Sequence, residues 1–289
     1  MCQNWIIRQN KKKHNIYIYN EKMLYCVFAV DEVKPSKKYQ GDKDAPAWPF
    51  RIVMAGASNS GKTNMNLNLL TMPKFYYMFK KKKCSKIGER NVKCDDVVLF
   101  GHHLNEPKYK IVRDFYKYLA QDKSKPYYED VTFSTLSPDK IPDPKKFNAK
   151  RSTLAIFEDL YSDPPAIQKK IIPFFTRGRH ENISSIYVAQ KFHKIPLDIR
   201  ENATHIVLFN GGGSIRKLAD IISPYTDVDP RKASKIIDGY LRQKEFIVID
   251  LNKPRSESFS LRWDTPLDLE KEIEGLKDNK HSAYQGETS

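Results

Sequence analysis

The chain has 289 residues, with 50 Lys+Arg against 35 Asp+Glu for a formal charge of +15, and 40% of its residues are hydrophobic. That length fits one large α/β domain with appendages or two small domains, and no window approaches the ~18 to 20 consecutive apolar residues of a membrane span. The four cysteines, Cys2, Cys26, Cys84 and Cys94, match no paired C-x-x-C metal spacing, and no apolar signal core opens the chain, so free thiols in a soluble protein of a reducing compartment are expected. The positive charge sits ahead of an acidic last stretch that starts at Asp264; a basic body of this kind favours a polyanionic partner such as nucleic acid.

In chain order, residues 1 to 45 read as an extension, with strand-like runs at 16–19 and 25–30 and a proline- and lysine-rich linker around Pro35 and Pro46. Arg51-Ile52-Val53-Met54-Ala55 reads as a buried strand, and the run after residue 62 as a helix with Met65, Leu69 and Leu70 on one side. Five more short apolar runs read as buried strands: 96–100, 153–157, 183–189, 205–209 and 245–249. Between them lie helical patterns with Ile111, Phe115, Tyr118 and Leu119 on one face, then Ile215, Leu218, Ala219 and Ile222, then Ala233, Ile236, Ile237, Tyr240 and Leu241. Asp163-Pro164 and Asp229-Pro230 each read as a cap followed by a first-turn proline. Alternating strands and helices predict an α/β fold with a mostly parallel sheet covered on both faces. Residues 246–250 and 259–263 read as an antiparallel hairpin at one sheet edge. The predicted organisation is an extension at 1–45, one domain at 46–265 and an acidic polar tail at 266–289.

The chemistry concentrates at Gly56-Ala57-Ser58-Asn59-Ser60-Gly61-Lys62-Thr63, a G-x-x-x-x-G-K-T loop between strand and helix. Its glycines let successive N–H groups turn toward phosphates, and the helix that follows adds the positive end of its dipole. Lys62 is then expected on the β and γ phosphates of a nucleoside triphosphate such as ATP, and the Thr63 hydroxyl on Mg²⁺. About 100 residues on, Leu154-Ala155-Ile156-Phe157-Glu158-Asp159 ends an apolar strand in two acids, one to stand beside the magnesium and one to orient water. Aspartate usually comes first in this pair, so Glu158 in the metal-side position leaves open which acid does which work. Gln190, at the tip of the strand 183–189, is placed to sense the γ phosphate. Arg177 and Arg179 precede that strand and suit an arginine that completes a neighbouring subunit's site, with Arg179 ahead of Arg177, or else a contact to DNA phosphate or a local carboxylate.

The order G-A-S-N-S-G-K-T, I-F-E-D-L, T-R-G-R-H-E-N-I-S, Y-V-A-Q and, above all, I-P-L-D-I-R-E-N-A-T-H-I-V-L-F at 195–209 resembles the poxvirus-type DNA-packaging ATPases of large DNA viruses. That family is a branch of the FtsK/HerA class of P-loop NTPases. The similarity runs from about Trp48 to Trp263. It implies a RecA-like core, a homo-oligomeric ring, and ATP-driven movement of double-stranded DNA into a capsid. It also implies a capsid or portal protein as partner and a place in the virion or the viral factory of the host cytoplasm. In the same terms Lys62 and Thr63 serve the loop, Glu158 and Asp159 form the acidic pair, Gln190 is the sensor and Arg179 the trans arginine.

Two other functions use the same loop: a nucleoside or nucleotide kinase, and a nucleotide-binding structural protein without motor activity. Some features carry a second reading. Lys80 to Lys83 with Lys86, Arg90 and Lys93 form a basic loop that either touches DNA or is solvated. Gly211-Gly212-Gly213 is foremost a permissive turn. Phe75, Tyr76, Tyr77 and Phe79 are expected in core or interface packing before base stacking. His102-His103 lacks companions for a zinc site.

Overall fold

A computed structural model describes residues 45–79 and 88–275. The strand-like runs at 16–19 and 25–30, the lysines from Lys80 to Lys83 and Lys86, and Cys2, Cys26 and Cys84 lie outside the described residues. Cys94 is a buried free thiol.

Among the described residues nine strands make one sheet. They are β1 (Arg51–Ala55), β2 (Asp96–Phe100), β3 (Thr132–Leu136), β4 (Thr153–Glu158), β5 (Ile183–Ala189), β6 (His205–Leu208), β7 (Ile247–Asp250), β8 (Phe259–Leu261) and β9 (Thr265–Pro266). Their spatial order is β3-β2-β4-β5-β1-β6-β7-β8-β9. Pairing is parallel from β3 to β6 and antiparallel from β6 through β9. This is the mostly parallel α/β sheet with a C-terminal antiparallel hairpin that the sequence predicts.

Seven α-helices among the described residues accompany it: α1 (Lys62–Thr71), α2 (Lys74–Phe79), α3 (Pro107–Ala120), α4 (Pro165–Thr176), α5 (Leu197–Glu201), α6 (Ile215–Ile222) and α7 (Pro230–Arg242). Side chains alternate across a strand with period two, so the continuous apolar runs feed two cores at once. Val53, Ala155, Phe157 and Tyr187 face a core completed by α4, α6 and α7, with Phe174, Ile222 and Ile237 fully buried. Ile52, Met54, Leu154, Ile156, Ile186 and Val188 face the other, where α1 supplies Met65, Leu69 and Leu70 and α3 supplies Tyr109, Val112, Phe115 and Tyr116. Burial on both faces is why these strands lack hydrophobic alternation.

Several local expectations are corrected. On α3 the buried face is Tyr109, Val112, Phe115, Tyr116 and Leu119, whereas Ile111 and Tyr118 are exposed. The tyrosines at 109 and 116 carry the inner face, which rotates it away from the predicted one. Helix α4 begins at Pro165, with Pro164 as its cap residue, because the Asp163 carboxylate pairs with His102 instead. Asp229 does cap α7, accepting from the Arg231 amide at 2.8 Å. Strand β7 starts at Ile247 rather than at Glu245. The packed chain also continues beyond residue 265, since Leu267 and Leu269 enter the first core and Tyr240 donates to Glu272 at 3.1 Å.

Arg90, expected in a basic loop, is buried. Its guanidinium donates to Glu129 Oε2 at 2.6 Å, to the Tyr116 hydroxyl at 2.6 Å and to the Cys94 carbonyl at 2.9 Å, and Lys74 donates to the other Glu129 oxygen. This cation ties the approach to β2 onto the turn after α3.

Candidate nucleotide site

Strand β1 ends at Ala55, and the loop from Gly56 to Thr63 carries the chain into α1 at the carboxyl rim of the parallel strands. Ligands bind at that rim in open α/β sheets. The turn needs left-handed backbone twice, at Asn59 (φ 60°) and at Gly61 (φ 109°); Gly61 is the residue that caps α1. Gly56 serves a different requirement. A Cβ there would stand 2.5 Å from Phe209 Cβ and 2.9 Å from Ser60 Oγ, so the loop presses directly on the tip of β6. Phe209 in turn stacks on Phe246, with ring centroids 5.1 Å apart.

The Lys62 ammonium lies along the loop, donating to the Gly56 carbonyl at 2.7 Å and the Ala57 carbonyl at 2.8 Å. Burial lowers its pKa, and the charges of Glu158 and Asp159 act in the opposite direction. Helix α1 leaves its first amides without helical acceptors, next to Thr63.

The acids arrive from β4. Because β5 is inserted between β4 and β1 in the sheet, three rim positions come together: the loop from β1, Gln190 from β5, and Glu158-Asp159 from β4. Gln190 donates from Nε2 to Asp159 Oδ2 at 2.9 Å. Asp159 adopts a left-handed φ of 57°, and its amide donates to the Val188 carbonyl at 3.0 Å. Glu158 accepts from the Tyr109 hydroxyl at 2.6 Å. Burial pushes the Glu158 carboxyl up to about 7; the Tyr109 hydrogen bond lowers it, and the nearby Glu106 charge raises it. Burial and the Glu158 carboxylate together push the Tyr109 phenol well above its ordinary range, so it remains a donor.

These groups line one cavity of about 460 Å³, together with Ser58, Asn59, Ser60, His102 and His103. Of the predicted residues, Lys62, Thr63, Glu158, Asp159 and Gln190 meet there. Arg177 and Arg179 do not. They are exposed at the amino end of β5, on the opposite rim, where the charge of Arg179 adds to burial in lowering the pKa of Arg51 at the start of β1. The glycines 211–213 line a separate surface cavity with Lys191, Lys194 and Lys217.

Sequence reasoning did not single out Tyr109, Asn66 or the cavity role of His102. His102 pairs with Asp163 at 2.9 Å; its sequence context offered only the adjacent histidine. Tyr109 is 49 residues from its partner Glu158, and no local pattern marks it.

Residues 135–226 match the family model described as Poxvirus A32 protein. The matched stretch runs through the acidic pair, Arg177, Arg179, Gln190 and the 195–209 segment, so the resemblance seen in the sequence is upheld where its most discriminating motif lies. The loop from Gly56 to Thr63 lies before it.

Solved structures with similar folds include the genome packaging NTPase B204 from Sulfolobus turreted icosahedral virus 2, in complex with sulfate. It is 16% identical, with a TM-score of 0.43 over 74% of this chain and 95% of that one. The DNA-packaging ATPase B204 from Sulfolobus turreted icosahedral virus is 18% identical, with a TM-score of 0.43 over 74% of this chain and 97% of that one. EssC (ATPases 2 and 3) from Geobacillus thermodenitrificans is 11% identical, with a TM-score of 0.42 over 83% of this chain and 45% of that one. At these values the likenesses carry no weight for function. No curated protein sequence matches the chain. Among the described residues no helix is long and apolar enough to cross a membrane.

Proposed function

We propose that the chain is a viral genome-packaging ATPase that hydrolyses ATP with Mg²⁺ to move double-stranded DNA. The observation that carries this reading is the convergence of Lys62, Thr63, Glu158, Asp159 and Gln190 on one rim cavity. The residues fit the ligands. Ser60 Oγ and Asp159 Oδ1 are buried without a protein hydrogen-bond partner, which is costly unless a ligand or water pairs them. A hydroxyl and one or two carboxylates, with phosphate oxygens, are the hard oxygen donors that Mg²⁺ prefers. Bound Mg²⁺ supplies charge neutralisation at the phosphates.

The chain's own residues do the rest. The loop amides and Lys62 hold the β and γ phosphates, while Thr63 and Glu158 stand on the metal side. Asp159, held by Gln190, is placed to accept a hydrogen bond from the attacking water. Through this contact Gln190 links the acid to β5 and senses the γ phosphate. Arg179, with Arg177 beside it, is exposed at the rim opposite its own subunit's cavity. That supports a role in the cavity of the next subunit of a homo-oligomeric ring, where an arginine supplied in trans is worth ~10³ to 10⁵ in rate. DNA, a capsid or portal protein, and the virion or viral factory complete the reading.

The test is the ATPase rate with and without duplex DNA for wild type, Lys62→Ala, Asp159→Asn and Arg179→Ala. We expect DNA to raise the wild-type rate and each substitution to lower it at least ~100-fold, in line with the loss of positioned catalytic groups. A rate indifferent to DNA, with phosphoryl transfer to an added nucleoside, would replace the motor with a kinase. Full function in Lys62→Ala would leave only a structural role for the nucleotide.

A further inference from the structure

Three elements around the rim are joined by a buried polar chain that the loop, the acids and the sensor do not account for. Asn66, one turn into α1 after Lys62, is fully buried, and its Nδ2 donates to the Tyr109 hydroxyl at 3.4 Å. Tyr109, on the inner face of α3, is 1% exposed and donates to Glu158 Oε2 at 2.6 Å. In this arrangement the Asn66 amide donates to the hydroxyl, and the single phenolic proton goes to the carboxylate. One Glu158 oxygen is therefore engaged by the protein, and Oε1 is left for the cavity.

We infer that Tyr109 is a positioning residue for ATP hydrolysis: oriented by Asn66, its hydroxyl holds Oε2 of Glu158 so that Oε1 is presented to the phosphates and their metal. The inference rests on the ATPase reading and deepens it. Glutamate has one more methylene than the aspartate usual at the metal-side position, and therefore one more torsion to fix. The Tyr109 hydroxyl fixes the end of that longer side chain. Asn66 makes the arrangement responsive to the loop, because it sits on the helix whose first turn touches the phosphates. Partners that orient metal-side groups typically change affinity or activity 10- to 100-fold when removed.

The experiment is a double-mutant cycle in the full-length protein with Tyr109→Phe, Glu158→Gln and the pair. Phenylalanine keeps the ring and its packing and removes only the hydroxyl. We expect Tyr109→Phe to lower kcat ~10- to 100-fold, with KM for ATP and the affinity for a fluorescent ATP analogue in EDTA unchanged. In the Glu158→Gln background the same substitution should cost at most about twofold further, because the partner it positions is already gone. Asn66→Leu should reproduce part of the loss of kcat. A wild-type kcat in Tyr109→Phe, or a full undiminished loss on top of Glu158→Gln, overturns the positioning role while the ATPase reading stands. A wild-type protein that turns over no ATP overturns both. A Tyr109→Phe protein that binds the analogue normally and melts at the wild-type temperature shows that any loss of rate is not a folding defect.

Discussion

Glu158 is held where burial makes its charge costly. Its carboxyl is pushed up to about 7 in the folded state, against an ordinary value near 4.5, so the folded chain binds that proton more tightly than the unfolded chain does. Its contribution to stability is therefore most favourable below about pH 4.5 and is lost as pH rises through about 7. Glu158→Gln removes the titration. Without nucleotide, this variant should gain stability over wild type between pH 5 and pH 8, by at most about 3 kcal/mol at ~1.4 kcal/mol per unit. Urea denaturation of both proteins at the two pH values measures the gap; a gap that stays constant would remove the burial explanation. Gly56 makes a steric prediction at the same scale. Alanine there must displace Phe209 or distort the loop, and overpacking of this kind costs ~1 to 3 kcal/mol. Titration with a fluorescent ATP analogue should show at least ~10-fold weaker binding for Gly56→Ala than for wild type.

Among the elements, the link between the approach to β2 and the turn after α3 depends on a buried ion cluster. Glu129 receives both Arg90 and Lys74, and removing one partner of a buried pair typically costs ~3 to 5 kcal/mol because the other charge is stranded. Glu129→Ala should thus destabilise the protein by that order in chemical denaturation, whereas Asp229→Ala, which removes only the α7 cap, should cost about 1 kcal/mol. The sheet was largely readable because strands buried on both faces are short, apolar and β-branched, as β4 and β5 are. Strand β3 was not. Its Thr132-Phe133-Ser134-Thr135-Leu136 is an edge strand, fully or partly exposed along its length, and it leaves no apolar run to detect. The α3 face was misjudged by the amphipathic side chains: Tyr109 and Tyr116 bury rings that composition treats as ambivalent, and Tyr118 does not. The loop, the acids and Gln190 were legible because each stands at the end of a strand. The Tyr109 to Glu158 bond was not, because contacts made only by tertiary packing leave no periodic trace.

At the scale of the whole molecule, the two rims of the sheet divide the proposed labour. The cavity lined by Lys62, Glu158 and Asp159 lies on one, and Arg177 and Arg179 on the other. If Arg179 acts in a neighbour's cavity, mixing inactive Lys62→Ala with inactive Arg179→Ala subunits should restore part of the ATPase rate, since some interfaces then combine an intact loop with an intact arginine. No recovery at any mixing ratio would place Arg179 in its own subunit or outside catalysis. The +15 charge bears on the partner: phosphate contacts release counterions, so DNA stimulation should fall steeply between about 50 and 200 mM salt, while the basal rate without DNA changes little. Salt-independent stimulation would argue against phosphate contacts.

The wedge of Gly56 against Phe209, and of Phe209 against Phe246, has a mechanical corollary. Because the first turn of the loop abuts the Phe209–Phe246 stack at the hairpin side, a ligand that reshapes the loop is expected to disturb the cluster against which Trp263 also packs. With Trp5 and Trp48 replaced by phenylalanine, the remaining Trp263 indole can then serve as an intrinsic gauge, its emission changing on nucleotide addition and not when Phe209→Leu is added, so that occupancy of the pocket can be followed without any attached dye.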